Sequence, residues 1–256
     1  MNLELNNKKA LVCGSTQGIG KATALALAQE GVNVTLCARN EDKLKEVLSE
    51  LPSHRDHNYI VADFTDPEDL KSKLDGKSDF HILINNTGGP KSGLLHSAKI
   101  EEFKNAFTMH IVCNQILVQA CLPFMKQEGY GRIINVISTS VKEPIPGLGV
   151  SNTIRNAVAN WAKTLSGELA TFGITVNNVL PGFTDTARLD SIIKIKAERE
   201  GTSEEQMEEI MKNYVPAKRF AKPEETADAI TFLASERAAY INGINLPVDG
   251  GRTKSL

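Results

Sequence analysis

A short apolar run ends in Cys13-Gly14-Ser15-Thr16-Gln17-Gly18-Ile19-Gly20, and a helix-like segment follows at once. Glycines spaced GxxxGxG leave the turn free of side chains that would block a ligand's approach. Backbone amides at the following helix start point outward and add favourable partial charge. That combination suits a dinucleotide pyrophosphate. After an isolated strand such glycines often only make a tight turn; at the head of a βαβ unit they make Gly14, Ser15, Thr16, Gln17, Gly18, Ile19 and Gly20 candidate cofactor residues.

The next apolar run ends Leu36-Cys37-Ala38-Arg39-Asn40. A site for the unphosphorylated dinucleotide usually places an acid here to bind the ribose 2′-hydroxyl. Arg39 stands instead, and a guanidinium can hold a 2′-phosphate with paired hydrogen bonds. The expected cofactor is therefore NADP(H) over NAD(H).

These residues must be positioned by alternating strands and helices. Strand-like runs occur at Ala10–Cys13, Val32–Cys37, Tyr59–Ala62, Phe80–Ile84, Arg132–Ile137, Ile174–Leu180 and Asn245–Val248. They are rich in Val, Ile and Leu without strict alternation, as in parallel strands covered on both faces. Helix-like stretches lie between them, near 19–30, 41–50, 68–74, 100–126, 152–171 and 223–235. Thr65-Asp66-Pro67-Glu68 reads as a capping box. The pattern predicts one α/β domain over 1–256: a doubly wound, Rossmann-type parallel sheet of about seven strands. Residues 187–214 break the rhythm with a highly charged run after Pro181-Gly182, and Thr202-Ser203-Glu204-Glu205 could cap a short helix there. Ligands of such folds lie beyond the carboxyl ends of the strands, so this segment is expected to be a substrate lid.

The 256 residues are 41% hydrophobic and 23% charged, with net charge −2. No global field draws such a chain to nucleic acid or membrane lipids. No apolar run approaches the roughly 20 residues that span a bilayer, and the first residues lack the sections of a signal peptide. Cys13, Cys37, Cys113 and Cys121 have no metal-ligand spacing and read as small buried hydrophobes in a reduced compartment. The expectation is a soluble, cytoplasmic protein without metal.

Further stretches carry a resemblance. They are the Gly14/Gly18/Gly20 loop, Asp63, Asn85-Asn86-Thr87-Gly88, Gly131-Arg132-Ile133-Ile134-Asn135 with Ser138, Asn177, Pro181-Gly182, Thr186 and Val248-Asp249-Gly250-Gly251. In this order and spacing the chain resembles the short-chain dehydrogenase/reductase superfamily over nearly its whole length. It looks most like the β-ketoacyl-acyl-carrier-protein reductase-like branch. The resemblance implies that Asp63, with Phe64 beside it, meets the adenine. It implies that Asn86, Thr87 and Gly88 line the adenosine ribose and brace the sheet. Pro181, Gly182, Thr184 and Thr186 would lie along the nicotinamide. It also implies hydride transfer to or from a carbonyl or alcohol carbon, and a homo-oligomer, tetramer or dimer, assembled through the long helices.

The resemblance fails at the proton donor. The family uses a tyrosine, with a lysine four residues later that lowers the phenol's pKa from about 10. Ser138 matches the family serine that polarises the carbonyl. Ser151 stands at the tyrosine position, Arg155 at the lysine position and His110 at the relay asparagine. Arg155 stays charged and passes no protons at neutral pH, though it can bind the nicotinamide ribose and stabilise an oxyanion. His110 has a reference pKa near neutrality, so it is the candidate proton donor, directly or through Ser151. The alternative is a packed helix residue. Lys91 could face the cleft or be a surface lysine, and Lys142 and Glu143 could border the cleft. Two functions follow: an oxidoreductase on a small carbonyl or alcohol with an altered proton relay, or a non-catalytic NADP(H)-binding sensor or scaffold.

Overall fold

In β1 (Lys9–Cys13), Ala10 and Val12 enter one apolar layer, while Leu11 and Cys13 enter another. The same division separates Ile82 and Ile84 from Leu83, and Ile134 and Val136 from Ile133. Successive side chains of a strand point to opposite faces, so a strand covered on both sides must be apolar throughout. The computed structural model describes residues 1–255. Its other strands are β2 (Asn33–Ala38), β3 (Asn58–Val61), β4 (Ile82–Asn85), β5 (Gly131–Val136), β6 (Ile174–Pro181) and β7 (Asn245–Val248). All pair parallel, in the order β3-β2-β1-β4-β5-β6-β7. The strand order reverses between β1 and β4, and a crevice opens where such connections leave in opposite directions.

The helices are α1 (Gly18–Gln29), α2 (Glu41–Glu50), α3 (Pro67–Leu74), α4 (Ile100–Phe107), α5 (Cys113–Glu128), α6 (Gly149–Leu169), α7 (Ala187–Glu200), α8 (Glu204–Asn213) and α9 (Pro223–Leu233). Leu27 of α1, Leu44 of α2 and Ile230 of α9 join the first layer. Leu70 of α3, Leu117 of α5 and Ala162 of α6 join the second. The sheet is thus covered on both faces, as the sequence predicts.

Local details differ from the sequence reading. A π-helical turn at Thr108–Val112 joins α4 to α5, so the helix expected over 100–126 changes register around His110. Helix α6 begins at Gly149, three residues earlier than expected, which brings Ser151 into its first turn and Arg155 one turn further along the same face. The cap of α3 is Asp66, whose side chain accepts the Asp69 N–H at 3.1 Å. Pro67 takes the first helical position, where its missing N–H costs nothing, and this displaces the box expected from Thr65 and Glu68. Ser203 caps α8 in a box with Gln206. The charged run 187–214 is a helical pair with its own apolar cluster, Leu189, Ile193, Ala197, Met207 and Met211.

By length and composition Ile100–Glu128 could cross a membrane, its most apolar stretch having a mean hydropathy of 1.3, a feature the apolar-run reading missed. In the fold Leu117, Val118, Cys121 and Met125 of this stretch are buried in the second apolar layer. All four cysteines are free and buried.

One polar line crosses the sheet. Asn85, Asn135, Asn178 and Asn245 stand in register on β4, β5, β6 and β7. Their side-chain amides join in series at 2.8, 2.9 and 2.8 Å. The Asn135 and Asn178 amides each bond to both neighbouring strands, which offsets most of the cost of burying them, while the buried Asn85 Oδ1 has no partner among the described residues.

Candidate active site

The turn after β1 has room for nothing larger than glycine at two places. Gly14 has φ +60°, and a Cβ there would lie 2.4 Å from the Asn86 carbonyl oxygen. A Cβ on Gly20 would lie 2.1 Å from the Gly14 carbonyl oxygen. Asn86 closes the crevice from the β4 side, its Nδ2 donating to the Cys13 and Gly14 carbonyls at 3.2 and 3.3 Å. Gln17 precedes α1 without a side-chain cap, so no side chain covers the first amides of that helix.

Thr16, Gln17, Gly18 and Ile19 of this turn, together with Gly14, line a cavity of about 800 Å³. Ligand sites run from about 300 to 1,000 Å³, so this one is large. Arg39, Asp63, Phe64, Asn86, Thr87, Gly88, Pro181, Gly182, Thr184 and Thr186 line it too, as do Ser138, Ser151 and Arg155. The residues expected to bind cofactor and most of those expected to react thus share one wall. Three candidates stand outside it. Ser15 is fully buried, with its hydroxyl accepting the Cys37 N–H at 3.0 Å, so it pins the turn to β2. Gly20 is needed for packing under Gly14. His110 is buried behind the wall.

At the reactive end, the Ser138 hydroxyl accepts the Ser140 N–H at 3.1 Å, which orients it at the end of β5. Arg155 donates to the Val136 carbonyl at 3.1 Å and to the Thr87 carbonyl at 3.4 Å. Burial, and then the neighbouring Arg188 charge, push its pKa down to about 10, which leaves it cationic at neutral pH. His110 Nδ1 lies 2.8 Å from the Thr87 hydroxyl, and its Nε2 has no hydrogen-bond partner among the described residues. Burial first and the Arg155 charge second push the His110 pKa down to about 2, against a small opposite effect of the Gly88 backbone. The imidazole is therefore neutral across the physiological range. No tyrosine lines the cavity among the described residues. Tyr130 lies elsewhere, its buried hydroxyl donating to the Ala234 carbonyl at 2.6 Å.

Other functional candidates were missed in the sequence. Arg188, Ile192, Ile195, Lys196 and Arg199 of α7 line the cavity, as does Arg252 from the end of the chain. Their signal was a mixed basic and apolar stripe at helical spacing, hidden in a segment where charge reads as a solvated face. Lys91, for which the sequence left both a cleft and a surface position open, belongs to the wall. Lys142 and Glu143 do not, and Glu143 instead accepts the Lys254 and Ser255 N–H groups at 2.8 and 3.0 Å.

A family model described as enoyl-(acyl carrier protein) reductase matches residues 14–253. The chain belongs to the short-chain dehydrogenase/reductase superfamily. Among relatives in this superfamily, the NADPH-dependent reductase BacG of Bacillus subtilis is 32% identical over 98% of this chain and 100% of its own length. The 3-oxoacyl-[acyl-carrier-protein] reductase FabG of Rickettsia conorii is 31% identical over 97% of this chain and 98% of its own. The L-sorbose reductase of Gluconobacter frateurii, solved with NADPH and L-sorbose, superposes with a TM-score of 0.93 at 29% identity, covering 100% of both chains. These whole-length matches agree with the superfamily fold of one seven-stranded sheet flanked by helices.

Proposed function

We propose that this chain is an NADP(H)-dependent oxidoreductase acting on a small carbonyl or alcohol compound, with a proton relay unlike that of its superfamily. The observation that carries the reading is the shared cavity: the glycine turn and Arg39 line the same wall as Ser138, Ser151 and Arg155. The names of its relatives, an NADPH-dependent reductase and a reductase solved with NADPH, support the cofactor.

The residues present fit that cofactor. The turn that a Cβ would fill and the uncapped start of α1 suit a pyrophosphate. Exposed Arg39, beside Ala38 rather than an acid, would take the 2′-phosphate. Asp63 and Phe64 would meet the adenine, and Pro181 to Thr186 the nicotinamide. When bound, the cofactor supplies or accepts the hydride.

The chain's own residues do the rest. The Ser138 hydroxyl polarises the carbonyl. Arg155 holds the nicotinamide ribose and stabilises negative charge on the oxygen. Ser151 occupies the tyrosine position, but a serine hydroxyl alone is too weak an acid. The proton comes from water in the cavity through the Ser151 and Thr87 hydroxyls, and the neutral His110 ring holds the Thr87 hydroxyl through Nδ1. His110 thus orients the relay rather than acting as an imidazolium donor. Helix α7 closes over the substrate as a lid. The protein works as a cytoplasmic homo-oligomer, paired through α5 and α6, as the resemblance implies.

The test is consumption of reduced nicotinamide against β-ketoacyl thioesters, quinones, diketones and sugar-derived ketones, with NADPH and NADH side by side. Turnover with NADPH is the expected result. NADPH binding without turnover across the panel would favour a sensor or scaffold, the reading suggested by the missing tyrosine.

A further inference from the structure

The cavity wall is electrically lopsided. Among the described residues its single carboxylate is Asp63, at the end that holds Arg39. The other end gathers Lys91, Arg188, Lys196, Arg199 and Arg252. Two of these, Arg252 and Lys196, are half-buried, and Arg252 stands close to the reactive serine. Arg252 Nη2 donates to the Thr139 hydroxyl at 2.6 Å, one residue from Ser138, and its guanidinium lies 4.7 Å from the Phe183 ring. The buried Arg252 Nε has no partner among the described residues. Lys196 reaches the same cavity from α7, half-buried.

Neither cation forms an ion pair among the described residues. The nearby acids are engaged. Asp249 accepts the Gly251 and Thr253 N–H groups, Glu143 those of Lys254 and Ser255, and Glu200 pairs with Arg199. Burial pulls the pKa of both cations down; Glu200 opposes this at Lys196 while the Arg199 and Arg252 charges add to it, and Asp249 and Glu143 oppose it at Arg252. Partly desolvated cations that outnumber the carboxylates around them are costly to gather, and an anion between them relieves that cost. The cofactor's own charges are met elsewhere, at the start of α1 and at Arg39.

We infer that the substrate itself is an anion, with a carboxylate or phosphate held by Arg252 and Lys196 a few bonds from the carbonyl that Ser138 polarises. The inference rests on the oxidoreductase reading for the carbonyl, but the anion site stands on the cations alone. Thr139 being next to Ser138 keeps the two groups close, which favours short oxo acids or keto phosphates over long neutral ketones.

The test compares charged and neutral partners with NADPH: phenylglyoxylate against its methyl ester, and dihydroxyacetone phosphate against dihydroxyacetone. Calorimetric binding of each to the NADP+-loaded protein runs beside turnover. At least one acid should exceed its neutral partner by tenfold or more in binding, and the better pair identifies carboxylate or phosphate. In Arg252→Met and Lys196→Met that ratio should fall by roughly 10- to 100-fold, the worth of a charge-assisted hydrogen bond, while NADPH affinity holds. Acids that bind and turn over no better than their neutral partners overturn the inference, and leave the oxidoreductase reading intact if both turn over. Equal loss of NADPH affinity in the variants also overturns it, since the charges would then serve the cofactor. Acid binding without turnover of any compound keeps the anion site and overturns the reductase.

Discussion

The Thr87 hydroxyl and His110 Nδ1 stand 2.8 Å apart, yet only Thr87 belongs to the cavity wall. The pair links a solvent-reachable hydroxyl to a buried neutral ring, and the π-helical turn at Thr108–Val112 sets the ring there. If this link orients the relay, Thr87→Val and His110→Ala should each lower kcat by roughly 10- to 100-fold with little change in the NADPH KM, within the range of general acid–base catalysis. The double variant should lose no more than either alone, because the two act in series. Steady-state kinetics of the three proteins decide it, and additive losses would break the relay.

His110 also links stability to acidity. Its folded pKa, about 2, lies below the ordinary histidine value of about 6.5. Above that value both folded and unfolded chains hold it neutral, and it contributes no pH dependence. As the pH falls below about 6.5 the unfolded chain takes up the proton and the folded chain does not. Stability then drops by up to about 1.4 kcal/mol per pH unit. His57 and His81 are lowered by burial too and act in the same direction. Urea denaturation between pH 7 and 4 should therefore show a shallower slope in His110→Gln than in the parent.

Arg39 is expected to decide the cofactor. It is exposed, it lines the cavity, and Ala38 beside it offers no acid. Arg39→Ala should weaken NADPH by roughly 10- to 100-fold and NADH hardly at all, because only the phosphorylated cofactor loses charge-assisted hydrogen bonds. Titration of the protein's fluorescence with each cofactor measures both constants. Equal weakening would place the 2′-phosphate elsewhere.

Gly20→Ala tests a structural role rather than a contact. The added methyl would lie 2.1 Å from the Gly14 carbonyl oxygen and 2.6 Å from Asn86 Nδ2. The turn must move, at a cost of about 1–3 kcal/mol for overpacking. A melting temperature lower by several degrees, with weaker NADPH binding, is the expected outcome in thermal denaturation.

Much of this was legible along the chain. The doubly wound sheet follows the sequence pattern, and the glycine turn, Arg39, Asn86 and Ser138, all singled out in the sequence, line one cavity. Those features rest on near neighbours: a turn's backbone needs glycine at set positions, and a strand buried on both faces must be apolar throughout. The Thr65 capping box failed for an equally local reason, since Pro67 moved the helix start to Asp66.

Other features needed the fold. Whether His110 would meet the cavity or lie behind it depended on a π-helical turn, whose single-residue shift rotates every later side chain. The asparagine line across β4 to β7 depended on register between strands up to 67 residues apart, Asn178 to Asn245. The cationic end of the cavity joins Lys91, α7 and Arg252, segments far apart in the chain that each look like solvated charge when read alone. By itself the sequence determined the glycine turn and the strands that hold it, because hydrogen-bonding geometry and hydrophobic continuity are local. The tertiary structure alone decided which charges face one another across the cavity, because electrostatic energy depends on distance in space and not along the chain.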